Sequence, residues 1–374
     1  MKGCPAMAAV LPKPRRRGSA GKPGPSRALR VGRLLLVPLL ASLLLLAVAG
    51  GLLRAGLPVG GGVLVGQAAA QHAALMICGF FGAVVSLERA VALKARAAFA
   101  VPLLALAGGL ALLAGWPQAG ALAFTAAALG FTGVNLAIVH RQAAPHTIVL
   151  LVSALAWLTG NVRLTVGLHD DAMLASWFAF LVITIAAERL EMTRLMRRRA
   201  AAQPLLVAVL CALLAGAALW SALFGVALVA LALWFMSFDI ARQTVRAKGL
   251  TRYMALCLLG GYAWLAVAGV AWLGLSLGWA SRDAALHALG LGFIFCMVMG
   301  HAPVILPAVA RIKVQFDAAF YLPLALLHAS LVLRLAGPAW RPTGAVLNAM
   351  AMALFALVMV RAALRWRAME RARS

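Results

Sequence analysis

The sequence predicts an all-α, polytopic membrane protein: about twelve transmembrane helices in one bundle, joined by short loops. Three observations carry this. Of 374 residues, 64% are hydrophobic and only 11% are charged, whereas a soluble domain carries about 25% charged residues. Apolar runs of about 20 residues, each long enough to cross a bilayer as a helix, recur from Leu34 to the C-terminus. Lys and Arg gather in short clusters between those runs, as the positive-inside rule expects.

Residues 1–30, with "LPKPRRRGSAGKPGPSR", are basic and rich in Pro and Gly and read as a disordered cytoplasmic tail. The transmembrane domain covers 31–366, and 367–374 form a second short basic tail. Spans are expected at 33–53, 67–92, 99–115, 118–139, 145–167, 172–190, 203–220, 222–240, 253–278, 283–304, 318–336 and 343–363. Only "WSALFG" separates the seventh from the eighth. "LLAVAG" in the first run resembles a small-residue cleavage site, but the apolar stretch is long for a signal peptide and no soluble domain follows it. It is read as an anchored helix.

Charge tests the count. With the N-terminus inside and the loops alternating, 29 of the 34 Lys and Arg fall on the cytoplasmic side. Only Arg54, Arg163, Arg282, Arg334 and Arg341 fall on the other. A helix more or fewer would scramble this asymmetry, so both termini are expected in the cytoplasm. The same clustering accounts for the net charge of +25 without nucleic acid; the expected partner is the lipid bilayer. The five cysteines are scattered and read as small buried hydrophobes, not as a disulfide framework.

No loop is long enough to form a soluble domain, so function must lie within the bundle or on its surfaces. The sequence holds no phosphate-binding Gly loop with Lys, no CxxCH, no HExxH and no plausible Ser-His-Asp arrangement. Glu88, Glu188, Asp239 and Asp283 all lie near helix ends, which weighs against a proton-driven pump. "SLERAVALKAR" and "AAERLEMTRLMRRR" each end a span with a Glu-Arg pair; the plain reading is a snorkelling Arg neutralised by its own neighbour.

The histidines sort by depth. His140, His146 and His169 flank loops and read as structural. His72 and His287 each fall about five residues into a span that starts outside, roughly 6–8 Å below the outer interface. Two buried imidazoles at one depth on separate helices suit the two axial positions of a haem; they equally suit hydrogen bonds between helices. Gly79 lies seven residues after His72 and Gly290 three after His287, where small residues would let a flat macrocycle lie against the backbone. Arg163 is the candidate partner for a haem propionate, with Asp170 and Asp171 as competing partners. His301 lies 14 residues after His287, within about 40° of the same face on a regular helix, and some 21 Å along it. With His328 on the next helix it is a candidate second metal or haem site, and Met297 and Met299 nearby would suit copper. Pro303 and Pro307 should end or kink the tenth span, a feature that also fits a permease.

"HAALMICGFFGAVVSLERAVAL" in the second span and "LHALGLGFIFCMVMGHAPVILPAV" in the tenth resemble the NnrS family of bacterial membrane proteins. The resemblance implies a haem- and copper-containing protein of the bacterial inner membrane, linked to nitric oxide metabolism or resistance, with haem b as the cofactor. The His pair is also similar to the low-spin haem arrangement of haem-copper oxidases, but there is no adjacent His-His pair and no HxH for an oxygen-reducing centre. Two functions stay open. One is a redox-linked haem protein, passing an electron if six-coordinate or binding a small diatomic ligand if open. The other is a cofactor-free transporter.

Overall fold

The computed structural model describes residues 27–192, 200–310 and 313–373. The expected basic tail lies mostly outside the described residues, as do Arg194, Arg197, Arg198, Arg199 and Arg311. Among the described residues there is no strand, and twelve helices are long and apolar enough to cross a membrane. They are α1 (Leu36–Arg54), α2 (His72–Leu93), α3 (Arg96–Leu113), α4 (Pro117–Arg141), α5 (Pro145–Thr165), α6 (Asp171–Met192), α7 (Ala202–Leu219), α8 (Ser221–Phe238), α9 (Gly249–Ser276), α10 (Arg282–Pro307), α11 (Ala318–Leu335) and α12 (Pro338–Ala372). The chain is a multi-pass membrane protein. Leu129, Leu233 and Leu357 are among many large apolar side chains left exposed, an outer surface suited to lipid.

The described residues up to Pro38 form one unit, and those from Leu39 on form the second, which holds the bundle. Neighbours in sequence pack as neighbours in space from α2 to α6 and from α7 to α12. The centre is α6. It is 83% buried, against 28% for α1 and α7, and it meets α2, α5, α7, α8 and α10. Its sequence, "DAMLASWFAFLVITIAAERLEM", is bulky and apolar on every side, as a helix without a lipid face should be.

Polar side chains tie the helices where hydrocarbon offers no other partner. The Asn161 Oδ1 accepts from the Cys78 thiol at 3.2 Å and from the Trp177 indole N–H at 3.1 Å, and its Nδ2 donates to the Phe124 carbonyl at 3.3 Å. One side chain of α5 thus binds α2, α6 and α4. Between α8 and α9 the backbones touch: a Cβ on Gly225 would lie 2.6 Å from the Leu273 nitrogen.

Three expectations change. The second span does not run unbroken from 67. A helix at Gly62–Ala70 ends at Gln71, whose ψ of 17° turns the chain, and α2 starts at His72. Pro303 and Pro307 do not end α10; helix runs through both to Ala310, since packing around a transmembrane helix compensates for a missing N–H. The Glu-Arg pairs are closed across helices as well as by sequence neighbours. Arg89 reaches Glu188 of α6 at 2.9 Å and its own neighbour Glu88 only at 3.7 Å.

The helices that carry His72 and His287 each have a π-helical segment just past that histidine, Leu75–Phe81 in α2 and Ala288–Phe295 in α10. Such segments are uncommon and concentrate at functional sites.

Candidate functional site

His72 and His287 face each other. Their ring centroids are 6.4 Å apart and their planes 22° from parallel. In each ring Nδ1 lies against a carbonyl oxygen: Ala47 at 2.7 Å for His72, Asp283 at 2.9 Å for His287. A carbonyl can only accept, so each Nδ1 carries the proton and each Nε2 keeps its lone pair free. That is the tautomer of an imidazole ready to ligate a metal through Nε2.

A glycine admits the His72 ring. A Cβ on Gly51 of α1 would lie 2.7 Å from Cε1 of His72, so the imidazole rests on bare backbone. A Cβ on Gly290 would make ordinary contact with the Phe178 ring at 3.7 Å, not with His287. Gly79, expected to share the His72 face, instead packs on Leu43, 2.9 Å from where its Cβ would stand. It belongs to the α1–α2–α3 contact.

A cavity of about 120 Å³ adjoins the two rings, walled by α1, α2, α6, α10, α11 and α12. Phe178, Ile294 and Met352 are typical of its apolar lining; the polar exceptions are His72, His287, Arg334 and Asn348. Arg334 is only 8% exposed. It holds Asp283 through Nε and Nη2 at 2.9 and 2.7 Å, and Asp283 Oδ1 stands 3.2 Å from Nδ1 of His287. Asn348 donates to the Ser330 hydroxyl at 2.7 Å, and that hydroxyl donates to Leu327, which leaves the buried Asn348 Oδ1 without a donor.

Arg163 does not join this site. It pairs with Asp170 beyond the end of α5, and Arg282 pairs with Asp171. The buried cation at the cavity is Arg334. Hydrogen bonding to Arg163 holds the Asp170 carboxyl below the usual carboxylate range.

His301 and His328 are not brought together. His328 accepts from the Trp264 indole at 2.8 Å through Nδ1, which places its proton on Nε2 and removes that lone pair. His301 turns toward Glu88, Asp239 and Arg189. The π-helical segment Ala288–Phe295 also changes how His301 faces relative to His287: it inserts about one extra residue of phase between them, so a regular 100° step no longer relates them. Met297 packs on Gly261. Among the described residues no group of three His, Cys, Asp or Glu could hold a metal ion.

The donor set would suit a haem better than a bare ion, with His72 and His287 as the residues that would hold it. With only two protein ligands, the metal must bring its remaining donors with it, as iron does in a porphyrin.

Residues 33–364 match the family model DUF8744, described as a domain of unknown function, and the chain belongs to that family. No curated protein and no solved structure matches the chain.

Proposed function

We propose that the chain is a haem-binding, redox-linked protein of a bacterial inner membrane, with both termini in the cytoplasm. The observation that supports this most is the His72–His287 pair: two imidazoles with free Nε2 atoms, 6.4 Å apart beside an apolar cavity. Haem b is the proposed cofactor, and a link to nitric oxide follows from the resemblance to the NnrS family. When bound, the iron would supply one-electron chemistry or a position for a small diatomic ligand.

The protein's own residues would set the terms. Ala47 and Asp283 fix the ring orientations. The Asp283 carboxylate strengthens His287 as a donor, and Arg334 tempers that effect. Arg334 Nη1, not used on Asp283, is the nearest candidate for a propionate. Phe178 and Ile294 keep the cavity dry. Copper is the second metal to test, since Met76 and Met352 offer thioethers on the same wall.

The test is a reduced-minus-oxidised visible spectrum of the purified protein with metal analysis on the same sample. Low-spin haem bands, lost in His72→Ala and His287→Ala while the helical circular dichroism persists, are expected. A folded, colourless and metal-free protein would reject the proposal. It would favour a cofactor-free permease, for which the same cavity and the unpartnered Asn348 oxygen form a solute site.

A further inference from the structure

The chain has only nine carboxylates, and four of them meet at the end of the bundle opposite His72 and His287. Glu88 and Arg89 come from α2, Glu188, Arg189 and Glu191 from α6, His146 from α5, Asp239 from the turn after α8, Tyr262 from α9 and His301 from α10. Arg89 pairs with Glu188 at 2.9 Å, Arg189 Nε lies 3.9 Å from Asp239 Oδ2, and His146 Nε2 lies 4.0 Å from Glu191. Tyr262 faces Asp239 and Arg189, held by its ring stack on Phe235 at 4.6 Å.

Five polar atoms here are buried with no hydrogen-bond partner: Arg89 Nε, Arg189 Nε, Asp239 Oδ2, the Tyr262 hydroxyl and His301 Nε2. Arg189, Asp239 and Tyr262 are 5%, 2% and 0% exposed. Unsatisfied buried groups are costly and rare singly; five converging from five elements call for an occupant that both donates and accepts. Water does so. An anion would meet four carboxylates. A metal lacks a ligand triad among the described residues. Charge points the same way. Among the described residues, the buried or part-buried Glu88, Glu188 and Asp239 face Arg89 and Arg189, which leaves one negative charge in a place where uncompensated charge is expensive, and a proton restores neutrality.

We propose that this chamber is a buried, hydrated protonation site in which Asp239, His301 and Tyr262 share a proton through bound water. His301 Nδ1 is committed to the Met297 carbonyl at 2.7 Å, so Nε2 is the exchangeable position. A proton arriving from water makes an imidazolium there, balanced by the Asp239 carboxylate; Arg189 and the Arg89–Glu188 pair hold the frame. The site needs no cofactor in the cavity and stands if the haem proposal fails.

The test is pH-difference infrared spectroscopy of the full chain in lipid nanodiscs, between about pH 5 and about pH 9, in light and heavy water. The expected result is a histidine ring signal lost in His301→Gln and a carboxyl signal lost in Asp239→Asn, both shifted in Tyr262→Phe. Should Asp239→Asn fail to fold, His301→Gln and Tyr262→Phe carry the test. His328→Gln is the control and should leave the spectrum unchanged. Spectra of His301→Gln and Tyr262→Phe that superpose on the parent would overturn the proposal. So would stoichiometric Zn²⁺ binding that His301→Gln abolishes, which would make the chamber a metal site.

Discussion

Arg334 and Asp283 meet through two parallel hydrogen bonds, 2.9 Å from Nε and 2.7 Å from Nη2, at the wall of the cavity. The pair crosses from α11 to α10 and holds the carboxylate beside His287. Removing the guanidinium alone strands a buried charge. Arg334→Met is expected to cost about 3 kcal/mol of stability, read as a fall in melting temperature in nanodiscs. The double variant with Asp283→Asn should recover part of that loss. A double variant no more stable than the single one would show the pair to be worth little.

Gly51 and Gly290 should behave differently. At Gly51 a methyl would lie 2.7 Å from the His72 ring, whereas at Gly290 the nearest atom is 3.7 Å away. Gly51→Ala is expected to push His72 out of register, with an overpacking cost of about 1–3 kcal/mol and loss of any low-spin haem signal. Gly290→Ala should keep both. Equal cofactor content in the two variants would count against the geometry of the pair.

Asn161 is expected to be the costliest polar residue of the fold outside the charged clusters. Asn161→Ala breaks three hydrogen bonds to three other helices and leaves the Trp177 indole without a partner. A loss of about 2 kcal/mol is expected, measured by thermal or denaturant unfolding. Thr159→Ala, an exposed site bonded only to its own helix, is the comparison and should be near neutral.

The Arg163–Asp170 pair predicts an acid limb. Because the hydrogen bond from Arg163 depresses the folded value of Asp170, its contribution is present above the unfolded carboxylate value of about 3.9 and is lost as pH falls through the lower folded value. Asp170→Asn should lower the melting temperature at neutral pH and flatten this part of the profile below about pH 4. A variant profile parallel to the parent at every pH would refute the assignment.

The number of spans was legible because the bilayer imposes a length; the start of the second span was not, because nothing in its composition marks the break at Gln71. That His72 and His287 would stand level with each other was legible, since their rings face one another, but His72 opens α2 rather than lying five residues inside it. Facing was not legible. In a helix such as α6, apolar on all sides, no stripe marks which side turns inward. That is why Gly79 was expected beside His72 although Gly51, on another helix, is the residue that meets the ring. Partner choice was equally hidden: Arg163 had two aspartates within eight residues of sequence, and Arg334 found its carboxylate 51 positions away. Asn348 gave one signal that could have been read, a lone amide in an apolar span.

The π-helical segments of α2 and α10 have a mechanical meaning. Each takes up about one residue more than a regular turn, so each acts as a phase adapter between its two ends. One end of each helix presents an imidazole to the cavity, and the other presents Glu88 or His301 to the charged chamber. Without the added residue, the far end would be rotated by about 100°, and its polar groups would point into packed helices or lipid. Deleting one residue within 75–81 or 288–295 would therefore do more than shorten a span. It would put the two ends of the same helix out of step with each other.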